Sequence, residues 1–454
     1  MRKREIFSIF LLISLFFNYG LLLYGGNVRG EGKLRTSAEY NGISHCSLPQ
    51  NVTFEVTINF SLSALDSGEY DFYFKFSLFD NRIPTEYAYT PPGQVSDLLY
   101  SSIEGSDTAI TSEEDEFGNN YLLFSRTTKQ GHQDPIKINQ KYRITLSEVA
   151  FDKTVPDADI GEYNPSDAIH TLYCQAEQFY ETNNAELIEI SNDICKDITN
   201  PIDKADAIHD WIVDNLNYSL PDDTGEEKGA YWAYDNMQGD CSEFSDLMIT
   251  LLRIQGIPAR KCTGLIISDI TANNEASPDF YPSVGDYWIF SSNFTKSSSQ
   301  PNAGVSYPHL LAHAWLEYYV PNIGWIPSDP TWSQSGYDYF NRMDFLHLLG
   351  NIGAWFDYPG VPTPYSEFGT LPSPAYEPEA RFRYTTIVRV EVIGLNLLGN
   401  IFSFLFNNPI NATIFAFVLI SVICLIIFII FKKTGKGKKV KRMSSGENEI
   451  TFSY

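Results

Sequence analysis

The chain has 454 residues, 43% hydrophobic and 19% charged, which excludes a wholly disordered polymer and leaves room for about three domains at ~150 residues each. Its six cysteines are too few for a disulfide-built scaffold. The formal net charge of −24 repels phosphate backbones, so no nucleic acid is expected as a partner.

From the N-terminus, Arg2, Lys3 and Arg4 precede an apolar run at residues 6–24. A basic start before such a run resembles a secretory signal. Residues 1–30 are therefore expected to be a cleaved signal peptide or a retained N-terminal anchor, and both place the middle of the chain outside the cell. Residues 46–155 then alternate in short runs such as VTFEVTINF, YDFYFKFSLF and KYRITLSEVAF. Period-2 patterning rich in Val, Ile, Thr, Tyr and Phe, broken by turn formers, predicts a β-sandwich. The acidic clusters at 113–116 and 157–162 carry only half of a calcium-loop pattern, so solvated loops are expected there.

After Asn164 and Pro165 the period changes. Ile208, Trp211, Ile212 and Leu216 recur at helical spacing behind Asn200, a candidate N-cap, and Pro201, which fits the first helical position. The stretch MQGDCSEFSDLMITLLRIQGIPARKCTG (237–264) is the most informative. Phe244, Leu247, Met248, Leu251 and Leu252 form the apolar face of one helix that ends at Gly256. Cys241 falls in its first turn, where unpaired N–H groups and the macrodipole favour a thiolate and can supply an oxyanion donor. In LLAHAWLEYYVPNIGWIPSDPTW (310–332), His313, Trp315, Glu317 and Tyr319 share one face of a predicted strand, and residues 321–324 turn the chain. Reflection about that turn puts Asp329 within about a pleat of His313, where a carboxylate fixes the tautomer of a general base.

Four strings resemble the transglutaminase-like superfamily: GDCSEFS (239–245), LRIQGIPAR (252–260) with Gly264, HAWLE (313–317) and GWIPSDPT (324–331). The helix beginning near Lys204 and Ala205 resembles the one that precedes the cysteine in microbial members. The resemblance implies an α+β fold with a papain-like core over residues 166–345, Cys241 as nucleophile, His313 as base and Asp329 as orienting acid. It implies no cofactor and no metal, and a protein or peptide substrate offering a Gln side chain or peptide amide. Ser242 stands where animal crosslinking enzymes have a Trp; Gln238 and Trp232 are the alternative candidates for the oxyanion side. The expected reaction is acyl transfer or amide hydrolysis through a thioester. The alternative is a catalytically silent surface module that binds through the same fold. A long insertion after Gly264 is placed to cover or shape the cleft.

Residues 346–408 read as a Pro/Gly-rich segment, a strand (YTTIVRVEVI) and a juxtamembrane stretch. Residues 412–431 carry no charge over a length that spans about 30 Å of hydrocarbon, predicting a transmembrane helix. The basic run after it places 432–454 in the cytoplasm by the positive-inside rule. The expected protein is thus held in the cell membrane by one span, or two if the N-terminal anchor is retained, with an extracytoplasmic catalytic domain. Between the two basic ends, residues 6–431 hold 22 basic and 53 acidic residues, a net of −31. Outside the cell disulfides persist, and Cys174 with Cys195 is the preferred pair among Cys46, Cys174, Cys195 and Cys262.

Overall fold

A computed structural model describes residues 45–47, 50–81, 93–128, 135–219, 227–267, 282–297, 312–353, 372, 374–376 and 379–395. The expected signal or anchor (1–30), span (412–431) and tail (432–454) lie outside these residues. Among the described residues no helix is long and apolar enough to cross a membrane.

The alternating segments fold into two antiparallel sheets, which also take in strands from beyond the 46–155 window. Strand Asn51–Ala64 buries every second side chain from Val52 to Leu62 and stands at the centre of a five-stranded sheet. On one side it pairs with Ile136–Ser147, which pairs in turn with Gln94–Glu104. On the other side it pairs with Phe382–Leu395, the strand read in YTTIVRVEVI, and that strand pairs with Tyr287–Lys296. The facing sheet holds Pro374–Tyr376, Asp71–Ser77, Asn120–Thr127 and Thr111–Glu114. The described part of the insertion after Gly264 thus supplies an outer strand to a sheet whose other members come from both ends of the unit.

Phenylalanines seal the two sheets. Phe72, Phe74, Phe76 and Phe124 of the smaller sheet meet Phe60, Phe294 and Phe382 of the larger, with Phe74 stacked on Phe124 at 4.6 Å between centroids. Full burial of one such side chain is worth about 1.5–3 kcal/mol, against ~0–1 kcal/mol for an exposed ion pair such as Lys153–Asp338. Aromatic packing therefore dominates this seam.

The half that holds Cys241 and His313 is built on a four-stranded antiparallel sheet in the order Gly324–Ser328, Ala312–Val320, Ala259–Ile266, His347–Ile352. Leu316, Tyr318, Ile326 and Ala259 pack with Leu247, Met248, Leu251 and Leu252 of helix Cys241–Ile254 and with Ile208 and Ile212 of helix Pro201–Asn215. Trp315, Cys262 and Leu348 pack instead with Val52 to Ile58, Tyr142, Ile144 and Val388 to Val392 of the large sandwich sheet. One end of that sheet's inner face covers the small sheet, and the other end covers the sheet that holds His313.

Local caps and turns agree with the sequence pattern. Asn200 caps helix Pro201–Asn215, accepting from the Ile202 and Asp203 N–H groups, with Pro201 in the first turn. Glu113 and Glu114 lie exposed on an edge strand, and Asp157–Asp159 forms a short 3-10 turn. The disulfide expectation is corrected: Cys174 and Cys195 are both free thiols. Each ends a different helix beside its own cation, Arg253 for Cys174 and Lys204 for Cys195, and burial pushes the Cys174 thiol up to about 12.

Candidate active site

Cys241 is the first residue of its helix, and the preceding sequence explains why the helix starts there. Asp240 is the N-cap: its carboxylate accepts the Ser242 N–H at 2.8 Å, while Glu243 reaches back to accept the Asp240 N–H at 3.0 Å. This reciprocal capping box satisfies two donors that the helix itself cannot, and typically contributes ~1 kcal/mol. Gly239 is required by the same turn, because a Cβ there would lie 2.3 Å from Glu243 Cβ. Burial and the neighbouring Glu243 push the Asp240 carboxyl up to about 7. Every residue from Glu243 to Arg253 is buried, so the helix is a fixed platform for its partly exposed cysteine.

His313 and Asp329 come from the two arms of one hairpin. Leu316 pairs with Ser328 and Val320 with Gly324, so Asp329 emerges one step beyond the last pair and reaches His313. The imidazole Nε2 lies 2.6 Å from Asp329 Oδ2. Asp329 also begins a short helix, Pro330–Gln334, in which its Oδ1 accepts the Trp332 N–H at 3.1 Å and Pro330 occupies the first turn. The Asp-Pro pair in the sequence is therefore an N-cap followed by a residue that needs no hydrogen-bond acceptor. One carboxylate oxygen is fixed by the backbone and the other is left for imidazole.

The Cys241 thiol lies near enough to the same imidazole to be, after Asp329, one of the groups that raise its pKa. With Nε2 given to Asp329, Nδ1 is the nitrogen available to the thiol. Burial lowers the His313 pKa, but Asp329 and then Cys241 outweigh it and push it up to about 9. Burial raises the Asp329 carboxyl, yet His313 and a second histidine, His347, hold it far below the usual carboxylate range. The structure thus brings Cys241, His313 and Asp329 together.

No hydrogen bond or ring contact joins the side chains of Gln238 or Trp232 to Cys241 or His313 among the described residues. Gln238 lies in a two-residue strand paired with Asn217–Tyr218, and Trp232 in the short helix Ala230–Asn236. That pairing instead brings Tyr218 to the mouth of the site. Burial, with the charges of Cys241, Asp240 and Asp329, raises its phenol pKa, so it stays a protonated O–H donor.

Sequence reasoning also missed the groups behind Asp329. His347 Nε2 lies 3.2 Å from Asp329 Oδ2, and its Nδ1 lies 2.7 Å from Asp344 Oδ1. Asp344 in turn accepts a hydrogen bond from the Tyr339 hydroxyl. His313, Asp329 and His347 offer three potential ligand atoms within 4.8 Å of one another. The His313 nitrogen, however, sits 2.6 Å from Oδ2, well inside the ~3.3 Å separating ligands around a tetrahedral ion with ~2.0 Å bonds, while the His347 nitrogen at 3.2 Å fits a hydrogen bond. The arrangement is a proton network.

Other buried charges hold the sheet. Arg260 and Glu317 face each other across adjacent strands, with Nη2–Oε2 at 2.7 Å and the guanidinium 3.8 Å above the Trp325 ring. Gly264 pairs with His313 and leaves room for the next strand: a Cβ there would lie 2.0 Å from the Leu348 carbonyl oxygen.

Residues 188–330, a window that contains Cys241, His313 and Asp329, match the sequence profile of the transglutaminase-like superfamily. That stretch is similar to a transglutaminase-like core. The uncharacterized protein YebA of Bacillus subtilis (strain 168) is 28% identical over 145 residues, covering 30% of this chain and 16% of that protein. An uncharacterized protein of Haemophilus influenzae is 25% identical over 228 residues, covering 49% and 56%. The chain therefore matches less than two thirds of either relative. A crystal structure from Cytophaga hutchinsonii, provisionally named a cysteine protease, aligns over 73% of this chain and all of that one at 16% identity, with a TM-score of 0.40. One from Parabacteroides distasonis, provisionally named a protease, covers 57% and 59% at 9% identity and 0.20. The similarity to the transglutaminase-like superfamily thus rests on the profile match over residues 188–330.

Proposed function

We propose that the chain is a membrane-anchored, extracytoplasmic cysteine enzyme that transfers or hydrolyses acyl groups of protein or peptide amides through a Cys241 thioester. The observation that carries this reading is the line from the Cys241 thiol at a helix N-terminus, through the His313 imidazole, to the buried Asp329 carboxylate.

In the proposed cycle His313 takes the Cys241 proton and the thiolate attacks the amide carbonyl carbon. The C–S bond forms and the carbonyl electrons move to oxygen, where the Cys241 N–H and the Tyr218 hydroxyl are the candidate donors. The imidazolium gives its proton to the departing nitrogen, the C–N bond breaks, and ammonia or a peptide amine leaves. Water or a Lys amine then attacks the thioester and returns the proton to Cys241 through His313. Asp329 stays ionised throughout and stabilises the imidazolium. Residues 412–431 are the proposed anchor.

Incubation with Gln peptides and a labelled primary amine, followed by mass spectrometry, separates the outcomes. Amine incorporation marks transfer, ammonia release without incorporation marks amidase action, and backbone cleavage marks a protease. If none occurs and Cys241 reacts with a mild alkylating reagent no faster than buried Cys262, the chain is a silent binding module instead.

A further inference from the structure

His347 is the one buried histidine, among the described residues, whose two ring nitrogens both point at carboxylates: Nε2 at Asp329 Oδ2, 3.2 Å, and Nδ1 at Asp344 Oδ1, 2.7 Å. An ionised carboxylate only accepts hydrogen bonds, so both contacts are satisfied only when both nitrogens carry protons. Each carboxylate is independently held in its ionised form. Asp344 accepts the Leu346 N–H at 2.8 Å and the Tyr339 hydroxyl; Asp329 accepts the Trp332 N–H at 3.1 Å and the His313 Nε2–H. Four aromatic rings pack around His347, with centroids of Trp332, Trp315, Tyr339 and His313 at 4.9, 5.2, 5.5 and 5.6 Å, and Gln94 and Glu317 line the same cavity. His347 and Asp329 are both fully buried.

We propose that His347 is a positioning residue charged across the neutral pH range, an imidazolium that clamps Asp329 Oδ2 from behind and sets the pH range over which Cys241 and His313 hold their thiolate–imidazolium pair. This role rests on the reading of Cys241, His313 and Asp329 as the reacting groups. Its physical content is electrostatic. Asp329 is shared between two imidazole rings, so its negative charge favours the His313 imidazolium less than a carboxylate held by one ring would. A fixed positive charge beside the pair also makes both the thiol and His313 stronger acids. The thiolate then forms at lower pH. The direction of the His347 shift, upward to about 9 under the combined pull of Asp344 and Asp329 against burial, agrees with the geometry.

The test needs no substrate. The rate of iodoacetamide alkylation of Cys241 in the full-length chain, followed by peptide mapping, is measured against pH for the parent, His347→Gln and Asp344→Asn. The midpoint of the acid limb is expected to rise by about one pH unit in His347→Gln. A smaller rise is expected in Asp344→Asn, which removes a more distant negative charge together with the nearer positive one. A merely structural role would lower the amplitude or the melting temperature and leave the midpoint in place. Because either variant can fold poorly, the charge is also read in the parent protein by 15N-histidine NMR. One histidine, absent from the His347→Gln spectrum, is expected to keep both nitrogens protonated from pH 5 to 8. Unmoved midpoints in both variants, or a neutral His347 at pH 7, overturn the proposal and leave the triad standing. A parent Cys241 that titrates like an ordinary thiol near ~8.5 overturns the triad and this role together.

Discussion

Cys241, His313 and Asp329 were legible because each stands in a local pattern with a mechanical cause. The cysteine opens an amphipathic helix behind the turn formers Gly239 and Asp240, the histidine lies on an alternating strand, and the aspartate stands across a tight turn from it. His347, Asp344 and Tyr339 carry no such mark, since a lone His in DFLHLL reads as packing until the fold sets it against Asp329. At this scale Asp329→Asn is expected to lower turnover about 10^3- to 10^4-fold while leaving Cys241 in place, because imidazolium loses its counter-charge. Steady-state assays of folded variant and parent check this.

The two raised histidines also give a stability prediction. Both shift on folding from a reference of 6.5 to about 9, so their contribution is fully present below pH 6.5 and is lost as pH rises through about 9. Asp329, held low, contributes above its reference of 3.8 and loses that contribution as pH falls below it. Thermal melts should therefore show a loss of stability between pH 6.5 and 9 that is smaller in His347→Gln.

At the scale of elements, period and caps predicted the cysteine helix, the helix before it and most sandwich strands. They did not predict partners. That Phe382–Leu395 slots between Asn51–Ala64 and Tyr287–Lys296 depends on contacts more than 300 residues apart for the first pair, which no local pattern encodes. Gly264 tests how tightly the catalytic strands are set. A methyl group there meets the Leu348 carbonyl and Trp315, so Gly264→Ala must push apart the strands that carry His313 and His347. Overpacking of this kind costs about 1–3 kcal/mol. Urea unfolding is expected to report that loss, together with slower Cys241 alkylation.

For the whole molecule, one apolar cluster joins sandwich and catalytic sheet, from Val56 and Ile144 to Trp315 and Leu348. The two halves are thus expected to unfold together. Val390, fully within this cluster, sits on the strand that closes the sandwich. Val390→Asp should destabilise the protein by several kcal/mol, burying an unpaired charge, and should bring the fluorescence transition and the loss of protection of buried Cys262 to the same lower urea concentration. Separate transitions would show independent halves. The acidic balance of −31 over residues 6–431 adds a steering field for basic substrates that salt should weaken.

Whether Cys241 is the acylated nucleophile is decided by peptide mapping of the full-length protein, quenched at acid pH during incubation with a Gln-containing peptide, alongside turnover of Cys241→Ala. A thioester mass on the peptide bearing Cys241, removed by hydroxylamine, is expected, with no turnover by the variant. Undiminished turnover by Cys241→Ala would overturn the assignment.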